Sequence, residues 1–285
     1  MQRLIKNNIF ERLEKFLKEN GYSRLINPFS ASPISVLIFV LRSSVGEFPE
    51  NYWTAVIENR FREFRDEIEK LICKAKKKQE IQKLLAEILA GFIANWITSV
   101  TKELPFSLPK SGVVLDIGSG YLTGLSGILV RSIMNRGKIS LILLDRGVGP
   151  ALIIPRVLSL LGSPKNIIFM KGDILSLTGI HDVDLVTLIF TLHEITNTLF
   201  NIELLRACGK AKMSRMILLK ELPTIKKVIE KIYGVLRKGG KIVVIDKEID
   251  DFDIGFIEGL LDNFFRIIKS NYINESNLII EAVKY

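Results

Sequence analysis

The chain has 285 residues, 48% of them hydrophobic, with 40 Lys/Arg against 31 Asp/Glu and a formal net charge of +9. That apolar content is ample for a real core, in one large domain or a medium domain with an appendage. The charge is spread, with 18 of the 40 basic and 13 of the 31 acidic residues in 1–110, so the concentrated basic tract of a dedicated nucleic-acid binder is missing.

The N-terminal stretch MQRLIKNNIFERLEKF is charged throughout and does not read as a secretory signal. The longest apolar run, Val36 to Leu41, is too short to span a bilayer. Cys73 and Cys208 show neither a disulfide framework nor ligand spacing, so no metal is expected and a reducing, cytoplasmic setting fits. Scarce glutamine beside abundant isoleucine and lysine hints at a thermophilic source.

Residues 1–104 read as all-helical. Leu4, Ile5, Ile9, Leu13, Phe16 and Leu17 recur at helical spacing, with Asn20-Gly21 as a stop. Ser32-Pro33 reads as an N-cap followed by a first-turn proline, opening a helix to about Arg42. One longer helix is expected through Trp53, Ile57, Phe61, Phe64, Ile68 and Ile72, and another from about Gln79 to Val100. The aromatic residues read first as helix-packing residues, although some could cover an apolar pocket. The run Lys74, Lys76, Lys77, Lys78 reads as a solvated helix end, with a phosphate or RNA contact as the minority reading.

Residues 105–112, with two prolines and a closing glycine, form the expected linker. From 113 to 285 strand and helix alternate, the signature of a parallel sheet with crossover helices. Strands are expected at Val113–Ile117, Ile139–Asp145, Asn166–Lys171, Leu185–Phe190 and Lys241–Asp246. Helices are expected near Gly124–Met134, Pro150–Leu161 and Thr224–Leu236, with a helical insertion over Thr198–Lys220. Phe252 to Asn263 is helical in pattern. Phe264–Ser270 and Leu278–Lys284 form a closing antiparallel hairpin, unless the first arm prolongs the helix.

The chemistry gathers at strand ends. Val113-Val114-Leu115-Asp116-Ile117-Gly118-Ser119-Gly120 is a buried strand ending in an acid and a glycine-rich turn, where backbone can approach a ligand closely. Leu141 to Asp145 ends in a carboxylate placed to accept from both hydroxyls of a ribose. Met170-Lys171-Gly172-Asp173-Ile174 offers an acid for an exocyclic amine beside an apolar side chain; taken alone, Asp173 reads equally well as a helix cap. Asp184 to Glu194 ends in polar residues where a substrate would lie.

As an ordered set, VVLDIGSG, LILLDRG, KGDIL, VDLVTLIFTLHEI and LRKGGKIVVID resemble the motifs of class I S-adenosylmethionine-dependent methyltransferases. The resemblance covers about residues 111–285 and leaves out the N-terminal helices. It implies an α/β fold, a doubly wound, seven-stranded Rossmann-like sheet with an antiparallel last strand. It also implies S-adenosylmethionine as cofactor. Gly118, Ser119 and Gly120 would approach its methionine moiety, with Asp116 near the ammonium group. Asp145, with Arg146 beside it, would hold the ribose. Asp173 and Ile174 would frame the adenine, and Phe190 and Thr191 would lie close to the sulfonium. The family often has a third glycine where this chain has Leu122, with Gly124 two residues on; Leu122 is expected to narrow the pocket or shift the loop. A dinucleotide dehydrogenase is disfavoured, because an acid two positions before the first glycine would repel a pyrophosphate.

Methyl transfer needs in-line alignment and, where required, removal of a proton. His193 and Glu194 are the candidates for that base, against the bland reading in which they orient the loop; Asp246 and Glu248 follow for substrate contact. Thr191-Leu192-His193-Glu194 stands where nucleic-acid amine methyltransferases often carry Asn/Asp-Pro-Pro-aromatic. It resembles instead the small-molecule branch, which implies O- or C-methylation of a small, apolar metabolite. The alternatives are an RNA or protein methyltransferase, and a non-catalytic ligand-binding protein whose N-terminal helices serve interaction or homodimerisation.

Overall fold

A computed structural model describes residues 2–26, 33–192, 214–248 and 253–285. Two compact units emerge, one from Met1–Thr101 with Gly147–Ser163, the other from Lys102–Arg146 with Pro164–Tyr285.

The first unit is helical: α1 (Gln2–Glu19), α2 (Pro33–Ser44), α3 (Glu50–Arg60), α4 (Arg65–Lys77), α5 (Gln79–Ser99) and α7 (Val148–Leu160). Helix α5 is its centre and packs against α1, α2, α4 and α7. Ala86, Ala90, Gly91 and Ala94 keep parts of its surface small, while Leu85, Leu89 and Ile97 are fully buried. The long helix expected through Trp53 and Ile72 is in fact two. Phe61 leaves helical geometry (φ −128°, ψ 22°) and a 3₁₀ turn at Arg62–Phe64 intervenes, so that Phe61 and Phe64 both turn inward. The spacing of three and four continues across the break, which hides it from periodicity. The segment 147–163 was expected with the second domain. It groups with the helical unit because α7 is apolar and packs on α5 and α2. The lysine run is partly folded back: the Lys74 ammonium donates to Asn20 Oδ1 at 2.5 Å, and Lys76 lies 5.4 Å from the Trp53 ring centre.

The second unit is a seven-stranded sheet of order β3-β2-β1-β4-β5-β7-β6. Its strands are β1 (Gly112–Ile117), β2 (Ile139–Asp145), β3 (Ile167–Lys171), β4 (Val183–Ile189), β5 (Leu236–Lys247), β6 (Phe265–Asn274) and β7 (Asn277–Lys284). The first five pair in parallel, and β7 runs antiparallel to β5 and β6. This is the doubly wound, Rossmann-like α/β architecture with one reversed strand. The first arm of the C-terminal hairpin is a strand and does not prolong the helix.

Among the described residues, three helices belong to this unit: α6 (Leu125–Met134), α8 (Ser214–Val235) and α9 (Ile254–Leu261). Helix α8 starts ten residues before the expected Thr224; the rest of the proposed insertion, up to residue 213, lies outside the described residues. Ile225, Val228, Ile229 and Ile232 recur by three and four and share a core with Val186, Leu188, Ile242, Val244 and Ile280. Phe265 is fully buried at the start of β6, with Tyr233 edge-on at 5.6 Å.

Truncating Phe265 to Ala should cost about 3–5 kcal/mol. Ile268→Ala on the same strand, where the side chain is 45% exposed, should cost under about 1 kcal/mol. Urea unfolding of the two variants checks the assigned core.

Candidate active site

Open parallel sheets take ligands where neighbouring strands lead off in opposite directions. Here that point lies between β1, which leads to β2, and β4, which leads to β5. A cavity of about 100 Å³ opens at the carboxyl edge beside it. Its polar lining is Asp145, Arg146, Asp173 and Thr191; backbone is exposed at Gly118 and Gly172, and Ile117, Leu144 and Ile174 make the apolar wall. Four strand ends thus contribute to one site.

The glycine turn after β1 is folded tightly onto its neighbours. Gly118 N donates to Leu144 O at 2.7 Å, and Gly120 N donates to Asp145 Oδ2 at 2.8 Å. Gly118 has φ +70°, and a β-carbon there would sit 2.2 Å from Thr191 Cγ2. No L side chain fits this position. The Thr191 hydroxyl lies 2.9 Å from Ile189 O and 3.2 Å from Gly118 O, serving either with its single proton. At the end of β2, Gly172 N donates to Asp145 O at 2.9 Å. The acid is therefore held from both sides before any ligand arrives.

Asp173 combines two roles. Its Oδ1 accepts from Leu175 N at 2.8 Å and caps the 3₁₀ turn Ile174–Ser176, while Oδ2 lies 3.7 Å from Arg146 Nη1. Both side chains of that ion pair are well exposed, at 57% and 40%, so it is worth no more than about 1 kcal/mol and a ligand can displace it.

Asp116 is not among the lining residues. It lies fully buried on the face opposite Leu115 and Ile117, where Thr187 Oγ1 donates to its Oδ1 at 2.6 Å. Burial pushes its carboxyl up to about 7; bonds from Thr187 and Ser126 pull it down, and the charge of Asp145 adds to the rise. Its Oδ2 and the buried Ser119 Oγ have no hydrogen-bond partner among the described residues. Thr187 and Ser126 were missed by sequence reasoning, although a threonine inside the otherwise apolar run Leu185–Ile189 is a visible signal.

Leu122 explains its own departure from the glycine pattern. It takes the left-handed conformation that glycine would supply, φ +57°, and its side chain is wholly buried. It does not line the cavity, so the expected narrowing is not seen; the conformation is kept and the cost is offset by burial. Gly124, at φ +69°, is the N-cap of α6. Phe190 also stands at positive φ, 52°, with its N–H on Ile245 O at 2.6 Å, and is outside the lining. Asp246 is buried at the end of β5, and Glu248 accepts from the Tyr272 hydroxyl at 3.2 Å. His193 and Glu194 lie outside the described residues.

No family model matches the chain, and no curated protein does. Solved structures are similar to it. A SAM-dependent methyltransferase from Aquifex aeolicus aligns over 63% of this chain and 85% of its own, at 16% identity and a TM-score of 0.46. The N-methyltransferase NodS from Bradyrhizobium japonicum, in complex with S-adenosyl-L-homocysteine, aligns over 61% and 78%, at 12% identity and a TM-score of 0.43. A 1,6-didemethyltoxoflavin-N1-methyltransferase from Burkholderia thailandensis aligns over 61% and 71%, at 16% identity and a TM-score of 0.43.

The raised Asp116 carboxyl sets a pH dependence. An acid harder to ionise in the folded chain binds more protons there than in the unfolded chain, so its contribution to stability falls as pH rises from about 4 to about 7. Asp116→Asn removes that term, on the order of 4 kcal/mol in full. The stability of the variant relative to wild type should climb over this window and level off above it. Equilibrium unfolding across pH checks this, and a flat difference would contradict the burial argument.

Proposed function

We propose that the chain is a methyltransferase that binds S-adenosylmethionine at the β1–β4 edge and methylates an O or C atom of a small, apolar molecule. The observation that carries this reading is the meeting of Asp145, Asp173 and the Gly118 backbone in one cavity.

The residues suit such a cofactor in charge and polarity. Asp145 has acceptor capacity beyond the one bond from Gly120 N, and two vicinal hydroxyls could use it. Asp173 and Ile174 offer an acceptor beside an apolar surface, which suits an adenine edge and face. The lining carboxylates of Asp145 and Asp173 favour a ligand with donors and positive charge over a pyrophosphate. When bound, the cofactor would supply a methyl group on a sulfonium sulfur, open to in-line displacement. The chain would then align the acceptor, exclude water and, for an acidic acceptor hydroxyl or carbon, take up a proton. His193, with Glu194 beside it, is our proposal for that proton acceptor.

A small acceptor is supported by the sequence after β4, Thr191-Leu192-His193-Glu194, which lacks the flat prolyl-aromatic platform suited to a base. No helix of the described residues is long and apolar enough to cross a membrane. Homodimerisation through the N-terminal helices stays a proposal, and RNA and protein acceptors are alternative outcomes of the screen below.

Calorimetry with S-adenosylhomocysteine should show one site, with Asp145→Ala weakening it at least about tenfold, the loss of roughly 1.4 kcal/mol of hydrogen bonding. Equal binding by variant and wild type would remove Asp145 from the site. In a labelled-methyl screen of small molecules, RNA and protein, transfer should go to a small molecule. His193→Ala should slow it and abolish its acid limb; an unchanged rate–pH profile would end the base assignment.

A further inference from the structure

Gly118 and Gly172 both line the cavity, for different reasons. Gly118 is demanded by the chain itself, since its φ is +70° and a β-carbon would run into Thr191. Gly172 is under neither constraint. Its φ lies outside the left-handed region, and a β-carbon built on it would meet Leu144 Cδ1 at 3.5 Å, an ordinary van der Waals contact. Apart from its two chain neighbours, no other heavy atom of the described residues comes within 4 Å of that β-carbon. Alanine fits the fold here, and it would also restrict the unfolded chain.

The space left open belongs to the site. Gly172 directly follows Lys171, the last residue of β3, which is in register with Asp145 at the end of β2. Its N–H donates to Asp145 O at 2.9 Å, and the residue after it is Asp173, whose Oδ1 is held by Leu175 N at 2.8 Å. The bare α-carbon therefore stands between the two lining carboxylates and faces Leu144, part of the apolar wall. All of these residues belong to the sheet unit. A flat base joined to a hydroxyl-bearing sugar needs such a strip of backbone, with nothing protruding between the acceptor for the sugar and the acceptor for the base.

We infer that Gly172 is a specificity-determining position: its missing β-carbon is room for the nucleoside half of the ligand, and a side chain there would take that room without disturbing the fold. This inference rests on the proposed reading of the cavity as the cofactor site.

The test sets stability against affinity in the full chain. Gly172→Ala should melt at or above the wild-type temperature, because alanine fits and narrows the unfolded ensemble. The same variant should bind S-adenosylhomocysteine at least about fivefold more weakly in calorimetry, the penalty of forcing a methyl group into filled space. Adenosine, measured by competition, should lose the same factor, since the added group meets the nucleoside half. Gly137→Ala is the control: Gly137 is also outside the left-handed region, has open space around its β-carbon and does not line the cavity, so this variant should bind like wild type. Wild-type affinity in Gly172→Ala overturns the inference and leaves the cavity reading intact. A melting temperature several degrees below wild type overturns it too, the glycine then being a requirement of the fold. An equal loss in Gly137→Ala, or a loss that adenosine does not share, likewise contradicts it. Absence of S-adenosylhomocysteine binding by the wild type overturns the cavity reading and this inference together.

Discussion

The backbone of Gly118 lies against the Thr191 side chain so closely that even a β-carbon would meet Cγ2 at 2.2 Å. The loops after β1 and β4 can close together only because position 118 has no side chain. That approach forms the floor of the cavity. It also places Gly120 N within 2.8 Å of Asp145, so one backbone turn links three strand ends. The conformation needs positive φ at Gly118 and Gly120, and also at Leu122, where a fully buried side chain offsets the steric cost. Positive-φ backbone is thus concentrated in five residues, 118–122, beside the cavity.

Under this turn sits a polar centre that core packing does not require. Asp116 and Thr187 are register neighbours on adjacent central strands, buried on one face of the sheet. Burying a carboxylate there costs stability, and the raised carboxyl is the measure of that cost. Buried groups of this kind are characteristic of working sites. The acid is not among the residues that line the cavity, and it accepts from Thr187 on the neighbouring strand. The three acids therefore divide into two that line the cavity and one that supports it.

Much of this was legible in the sequence, for physical reasons that differ by element. Central strands such as Val113–Ile117 and Ile139–Asp145 announce themselves as apolar runs closed by an acid, because both faces are covered. Asp145 and Asp173 could be placed because their strands end there. The break at Phe61 could not be read, since a 3₁₀ turn preserves the apolar spacing across it. The grouping of α7 with the helical unit follows from packing on α5, which strand–helix alternation says nothing about. The sequence near Asp173 allowed a cap or a ligand contact; one oxygen caps the 3₁₀ turn and the other faces Arg146. The bond from Gly149 N to Glu47 could not be read either, because its partners are 102 positions apart and one of them contributes only a backbone N–H.

The central claim is that one positively charged sulfur nucleoside belongs between the ends of β2 and β3, over the glycine turn of β1. A crystal structure of the protein grown with S-adenosylhomocysteine tests it most directly. The account predicts density for a ribose against Asp145 and for an adenine beside Asp173 and Ile174, with Arg146 drawn off Asp173. A nucleoside bound elsewhere, with Asp145 still engaged only by Gly120 N and the Arg146–Asp173 pair undisturbed, would contradict it.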